Sequence, residues 1–227
     1  MIALEEKTKS DKQVKSKKRV ADHGEVFTSE REVNAMLDLV KSETENIDSR
    51  FLEPACGNGN FLAEVLRRKL AIVETRYAKS QVEFERYAVT AISSIYGVDI
   101  LEDNVNDCRK RLFQLLNETY TRLFKTRCKE EFRSVIRFIL SRNIIWGDAL
   151  NLKSADEKAE PLTFSEWSRP FNDSRIKRRD FLFEEIVEDT ADTIFKEKST
   201  ETGKPVFIPK PIKEFPLTSM FSLTDYA

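Results

Sequence analysis

The sequence predicts an α/β fold: a mostly parallel sheet with helices on both faces and a ligand at the carboxyl ends of the strands. Three observations predict it. Short apolar stretches end in an acid at Phe51-Leu52-Glu53, at Ile95 to Asp99 and at Asn143 to Asp148. Long segments with apolar residues at helical spacing lie between them. The first stretch also runs into a glycine turn, Gly57-Asn58-Gly59, followed at once by the stripe Phe61, Leu62, Val65, Leu66 and Leu70.

Residues 1–20 carry Lys7, Lys9, Lys12, Lys15, Lys17, Lys18 and Arg19, with too few apolar residues for a packed face. They read as a solvated basic tail; the other reading is an arm that touches phosphates. His23 beside Gly24 reads as a turn residue. Ser29 and Glu32 have capping-box spacing, and Val33, Met36, Leu37 and Val40 form one stripe of the helix that follows.

Phe51 and Leu52 read as a short buried strand. Gly57 and Gly59 allow a sharp bend and a close approach to a ligand, so a branched side chain at Gly57 would fill the ligand's space. No lysine follows the glycines as it does in a P-loop, which excludes a triphosphate cradle. The helix after the turn extends to about Arg76, with Arg67, Arg68 and Lys69 on its solvated side. A second helix covers Gln81 to Ser94. The strand from Ile95 to Ile100 contains Asp99, an acid that either caps the next helix or accepts from both ribose hydroxyls of a nucleotide. Val105, Cys108, Leu112, Leu115, Leu116, Tyr120 and Leu123 predict a long helix from about Glu102 to Phe124. Phe132, Val135, Ile136, Ile139 and Leu140 predict another before the third strand.

Residues 153–227 read as an irregular extension. Lys177, Arg178 and Arg179 beside Phe181 and Phe183 fit an edge strand with a solvated face, or else a phosphate-and-stacking patch. Pro205, Pro209, Pro211 and Pro216, spaced among Phe207, Ile208, Ile212, Phe215 and Leu217, read as a tail that docks on another surface.

The chain has 227 residues, enough for one ordinary domain, with 34% charged residues and a formal net charge of −1. Bulk charge therefore announces no polyanion, and a nucleic-acid contact must use local patches. Cys56, Cys108 and Cys128 are odd in number and lack metal spacing, which reads as reduced thiols in a cytoplasm. A single histidine excludes a His-rich zinc site and leaves a Ser-His-Asp triad one possible base. No apolar run is long enough to span a bilayer, and no apolar segment follows the lysine-rich start, so neither membrane anchoring nor a signal peptide is expected.

The string Glu53-Pro54-Ala55-Cys56-Gly57-Asn58-Gly59-Asn60-Phe61 resembles motif I of the S-adenosylmethionine-dependent DNA methyltransferases that act on exocyclic amino nitrogens, mostly of adenine, in restriction-modification systems. Gly24-Glu25-Val26-Phe27-Thr28 is similar to that group's motif X, with Ser29 where proline is usual. Asp99 and Ile100 resemble motif II, whose acid holds the cofactor ribose. Asp148 and Ala149 resemble motif III, which reads the cofactor adenine. The resemblance implies a Rossmann-like class I methyltransferase domain over residues 21–152. It implies S-adenosylmethionine held by Phe27, Thr28, the residues from Glu53 to Phe61, Asp99, Ile100, Asp148 and Ala149. The family's motif IV, an Asn-Pro-Pro-Tyr type of loop that holds the flipped base, has no counterpart, because the sequence contains no adjacent prolines. The resemblance thus implies DNA as substrate and a second protein chain that carries the catalytic loop and target recognition. The alternative is a non-catalytic sensor or scaffold that kept the pocket.

Overall fold

The computed structural model describes residues 15–187, 197–198, 205–206 and 209–226. Its central sheet consists of the acid-ended stretches. β1 (Phe51–Glu53), β2 (Ile95–Asp99) and β3 (Ile144–Asp148) run parallel in the order β1-β2-β3, and the short β4 (Lys153–Ser154) returns antiparallel beside β3. The architecture is α/β with a mixed, mostly parallel sheet, in agreement with the sequence.

The helices follow from the expected stripes. α1 (Lys17–His23) and α2 (Glu30–Asp38) precede a five-residue α3 (Lys41–Glu45), which the sequence reading did not anticipate. α2 opens with a complete capping box: the Ser29 hydroxyl accepts from the Glu32 N–H, and the Glu32 carboxylate accepts from the Ser29 N–H at 3.2 Å. Val33 and Leu37 are buried, whereas Met36 and Val40 stay exposed. α4 (Asn60–Tyr77) and α5 (Gln81–Ser93) connect β1 to β2; α6 (Glu102–Phe124) and α7 (Glu130–Asn143) connect β2 to β3.

The sheet register decides which residue meets which layer. Phe51 pairs with Ile95, and Gly97 pairs with Ile144, so these side chains share the face that α4 to α7 cover. Leu52 pairs with Tyr96 and Val98 pairs with Ile145, which places them on the opposite face. There Tyr96 and Val98 pack on Leu162, Phe164 and Phe183. The expected helices on both faces are therefore corrected. Among the described residues the second face is covered by β5 (Thr163–Ser168) and its flanks, with one short helix, α8 (Phe183–Val187), contributing Phe183. Leu52, read as buried, is 44% exposed because β1 is the sheet's edge.

Lys69 is also corrected. It lies on the α4 stripe one turn after Leu66, not on the solvated side, and is fully buried. Its ammonium donates to the Ile47 carbonyl at 3.2 Å, to the Ser94 hydroxyl at 2.5 Å and to the Ser49 carbonyl. The amine thereby anchors the segment leading into β1 to the end of α5.

The C-terminal extension is ordered where described. β6 (Arg175–Leu182) is central to a small antiparallel sheet, paired with β5 on one side and with β9 (Lys213–Glu214) and β10 (Thr218–Ser219) on the other. The edge-strand reading of this segment is overturned. Strand alternation turns Ile176, Arg178 and Asp180 inward. The Arg178 guanidinium lies between the Asp180 carboxylate, at 2.7 Å, and the Phe215 ring, at 4.1 Å from its centroid. Two-residue pairings also link β7 (Glu197–Lys198) to β8 (Pro205–Val206). The segment expected to dock elsewhere instead docks on this chain: Phe215, Met220 and Leu223 are buried, the last two in the final 3-10 turn, which packs on α7. Phe207 and Ile208, part of that expectation, lie outside the described residues. No helix among the described residues is long and apolar enough to cross a membrane.

Two outcomes are expected. Met220→Ala, which empties a buried site, should lower stability by about 2–5 kcal/mol in urea denaturation; a wild-type midpoint would show that the tail does not pack there. Burial pushes the Lys69 ammonium down to about 7, against the weaker pull of Asp48 and Glu43. The unfolded chain keeps that proton up to about pH 10.4, so it holds more protons than the native state in this window. Stability contributed by this site therefore rises with pH above 7, by up to about 1.4 kcal/mol per unit. The stability difference between wild type and Lys69→Met, followed from pH 7 to 9.5, should grow; a flat difference would place the charged amine in a solvated environment.

Candidate functional site

The site is built on the corner that joins β1 to α4. The Cys56 N–H donates to the Val98 carbonyl at 2.9 Å, which continues the β1–β2 ladder into the turn. Gly57 and Gly59 both adopt left-handed backbone, at φ +52° and +82°. A Cβ on Gly59 would sit 2.6 Å from the Cys108 sulfur of α6, so only glycine lets α6 approach this closely. A Cβ on Gly57 would meet the Phe27 ring at 3.0 Å. The space over Gly57, expected to belong to a ligand, is thus bordered by Phe27 itself.

Asp99 is the hub. The residue is 8% exposed, and its carboxylate accepts from the Gly57 N–H at 2.8 Å, from the Leu101 N–H at 2.9 Å and from the Asn104 amide at 3.3 Å. Of the two sequence readings of Asp99, the cap is met in part: it accepts from the residue just before α6, which itself has no side-chain cap bond, and it also holds the glycine turn. Three donors leave roughly one of four acceptor positions for a further hydroxyl. Glu53 ends β1 half-buried, with one long hydrogen bond from the Ala55 N–H at 3.4 Å. Burial raises its carboxyl above the usual range, against that bond. A carboxyl with so few donors suits a cationic group such as an ammonium. Cys56 is buried, and the neighbouring Cys108 thiol together with burial pushes its own thiol above the usual range. Pro54 and Ala55 are exposed on the outer side of the turn.

The segment before α2 is brought to the same corner. The Asn60 amide donates to the Thr28 carbonyl at 3.1 Å, and Phe27 is buried beside it. Phe27, Asn58, Asn60 and Arg111 border a cavity of about 210 Å³. Phe61 packs partly buried on the core and not toward this cavity. Sequence reasoning missed Glu25, Asn104 and Arg19. The Asn104 amide donates to both Asp99 and the Glu25 carboxylate, the latter at 2.7 Å, while Arg19 pairs with Glu25 at 2.7 Å and with Asp103 at 2.5 Å. Lys15 pairs with Asp103 and Asp107. The described end of the basic tail is therefore a helix clasped to α6. An Asn in the first turn after a strand-end acid was the available signal.

The third acid stands apart. Asp148 accepts from the Leu150 N–H at 2.8 Å, from the Asn151 N–H at 3.3 Å and from the Asn151 amide at 2.5 Å. The Leu150 bond leads in holding its carboxyl below the usual range. Asp148 and the 49%-exposed Ile100 line a cavity of about 520 Å³ with Asn151 and Lys153. This cavity shares no lining residue with the one at Asn58. Ala149, expected in the pocket, packs instead on the second face with Leu152 and Ile145. The structure thus brings together Phe27, Thr28, Gly57, Asn58, Asn60 and Asp99, and separately Ile100 and Asp148.

The basic cluster at Lys177 to Arg179 is consumed internally. Lys177 pairs with Glu214 at 2.6 Å, Arg178 with Asp180, and Arg179 with Glu166 at 2.5 Å. That leaves little charge for phosphates. Among the described residues no cluster of His, Cys, Asp or Glu could hold a metal ion.

Comparison with protein-family models, with curated proteins and with solved structures finds no match to this chain.

Gly59→Ala combines a left-handed backbone with the overlap on Cys108. It should destabilise the protein by about 2 kcal/mol or more, and adding Cys108→Ala should recover part of that loss. Chemical denaturation of the two variants checks this; no recovery would mean that backbone strain alone is responsible.

Proposed function

We propose that this chain binds S-adenosylmethionine and is the cofactor-binding subunit of a DNA methyltransferase acting on the adenine amino group in a restriction-modification system. On this reading the domain is a class I methyltransferase fold, and a second chain supplies the Asn-Pro-Pro-Tyr loop and target recognition. The observation that carries it is the motif I string folded as strand, left-handed glycine turn and helix, with the Gly57 N–H held by the acid that ends the next strand at 2.8 Å. Asp99 is the ribose acceptor. Glu53 faces the ammonium of the methionine moiety, and Ile100 and Asp148 take the adenine. When bound, the cofactor would supply a methyl group carried on a sulfonium, activated for transfer to an amino nitrogen. The residues here bind and orient that group. None of them is assigned to the flipped base or to its proton.

The second reading, a cofactor sensor or scaffold, is favoured by one observation, the absence of any adjacent prolines. Methyl transfer separates the two. Titration calorimetry should show S-adenosylmethionine binding to the purified chain, weakened in Asp99→Ala by about 1.5–3 kcal/mol. A thermal-shift control is needed, because the same substitution strips the acceptor from the Gly57 and Leu101 N–H groups. No binding by wild type ends both readings. Labelled methyl should not reach DNA with the chain alone. Transfer by the chain alone would end the split-enzyme reading.

A further inference from the structure

An arginine keeps its charge at any ordinary pH, so a partly buried one without a counter-ion marks a place where an anion is wanted. Around the entry to the central sheet most arginines are matched. Arg50 pairs with Glu166 at 2.8 Å, and Arg86 pairs with Glu83 at 2.6 Å. Arg169, in the loop after β5, is different. Its Nη1 donates to the Arg86 carbonyl at 3.0 Å and to the Thr90 hydroxyl at 2.6 Å, and its guanidinium lies 4.9 Å from the centre of the Tyr87 ring. Those contacts fix the group but supply no negative charge. Among the described residues no carboxylate pairs with it, and its buried Nε has no hydrogen-bond partner. The Nε edge of the fork, which grips a carboxylate or phosphate through parallel hydrogen bonds, is therefore unused.

Arg169 borders a cavity of about 500 Å³. The walls come from the segment before β1, from the end of α5, from the end of β5 and from the loop 169–172. These are the amino ends of β1 and β2, the length of β2 away from the glycine corner, or roughly 15 Å. The cavity shares no lining residue with those at Asn58 and Asp148. Ser168 and Asn172 add a hydroxyl and an amide to the wall, and Phe171 adds a ring that is 51% exposed. Asp48 on the wall opposes an anion. The Lys69 ammonium, 2.5 Å from the Ser94 hydroxyl that also lines the cavity, offsets it in part. The volume exceeds what an inorganic ion fills and suits a small organic ligand. The apolar cavity of about 270 Å³ beside Leu52 has no comparable feature, because its charged groups are the matched pair Arg50 and Glu166.

We propose that the cavity at Arg169 binds a small anion that carries a flat ring, a phosphomonoester or a carboxylate, with its charged oxygens on the Nε edge of Arg169 and its ring against Phe171. The function proposed for the glycine corner plays no part in this. A ligand here is a second one, held at the opposite end of the strands.

The probes are phenyl phosphate and benzoate, which carry both ring and charge, inorganic phosphate, which lacks the ring, and phenol, which lacks the charge. Each is titrated into the full chain and followed by amide NMR shifts. Phenyl phosphate or benzoate should shift Ser94, Ser168 and Phe171 with a dissociation constant of about 1 mM or below. It should bind about tenfold or more tighter than phenol or inorganic phosphate, and the tighter of the two charged rings names the ligand class. Arg169→Gln should weaken that probe by about tenfold or more and leave phenol unchanged. Phe171→Ala, at an exposed position, should weaken it by about threefold and leave inorganic phosphate unchanged. No shift at these amides in the wild type would overturn the proposal, as would equal affinity for a folded Arg169→Gln. Should that variant not fold, the wild-type comparison with phenol carries the same decision: phenol binding as tightly as the charged rings sinks the anion site. Inorganic phosphate binding as tightly as phenyl phosphate, with no effect of Phe171→Ala, would remove the ring and the proposal with it. Shifts confined to Gly57 and Asn58 would overturn it too, by moving the anion to the glycine turn.

Discussion

The hydrogen bond from the Gly57 N–H to the Asp99 carboxylate is the contact on which the candidate site depends. β1 is only three residues long and, among the described residues, paired on one side, so it cannot by itself position the turn that follows. The end of β2 does this, first with its backbone at Val98 and then with the side chain of Asp99. Asp99 serves because its other oxygen is fixed by the Leu101 N–H and the Asn104 amide. A buried carboxylate held by several N–H groups stays compatible with burial and needs no cation beside it. Asn104 then passes the constraint to Glu25 and Arg19, so the segment carrying Phe27 is tied to the same acid. One carboxylate thus orders pieces from three places in the chain.

Much of this was legible in the sequence. Helix spans from Gln81 to Phe124 and the three acid-ended strands follow from periodicity and from where polar residues interrupt it. The glycine turn was legible because left-handed backbone needs glycine and the sequence supplies two, spaced around Asn58. What failed did so for identifiable reasons. Lys69 was read by residue type, although its position, three after Leu66 and four before Val73, lies on the buried stripe. Arg178 was read as part of a basic run, although alternation puts it on one face with Ile176 and Asp180, where opposite charges two residues apart can pair. Ala149 was carried into the pocket as the neighbour of Asp148, but consecutive residues after a strand turn to opposite sides. The partners of the C-terminal segment were not legible at all. Its apolar residues are spaced by prolines with no period, and only the tertiary fold shows that they meet β6 and α7.

The two faces of the sheet explain the division of labour in the molecule. The face of Ile95 and Ile144 is sealed by four helices in one large apolar cluster, and it carries most of the buried apolar surface. The face of Tyr96 and Val98 has a smaller cluster that a β-hairpin covers only in part. Folding is therefore secured mainly on the first face, and among the described residues no strand pairs with the outer edge of β1. The cavity beside Leu52 can stay open without weakening the glycine corner, because the corner is fixed from the β2 side.

That separation bears on how a split site can work. Of the groups proposed for the cofactor, Gly57 and Asp99 are paired with one another where β1 meets β2, while Ile100 and Asp148 lie apart at the ends of β2 and β3. On the proposed function, the cofactor is held by groups that this chain's own hydrogen bonds position, and Glu53, with a single long hydrogen bond, has the fewest donors of the three strand-end acids.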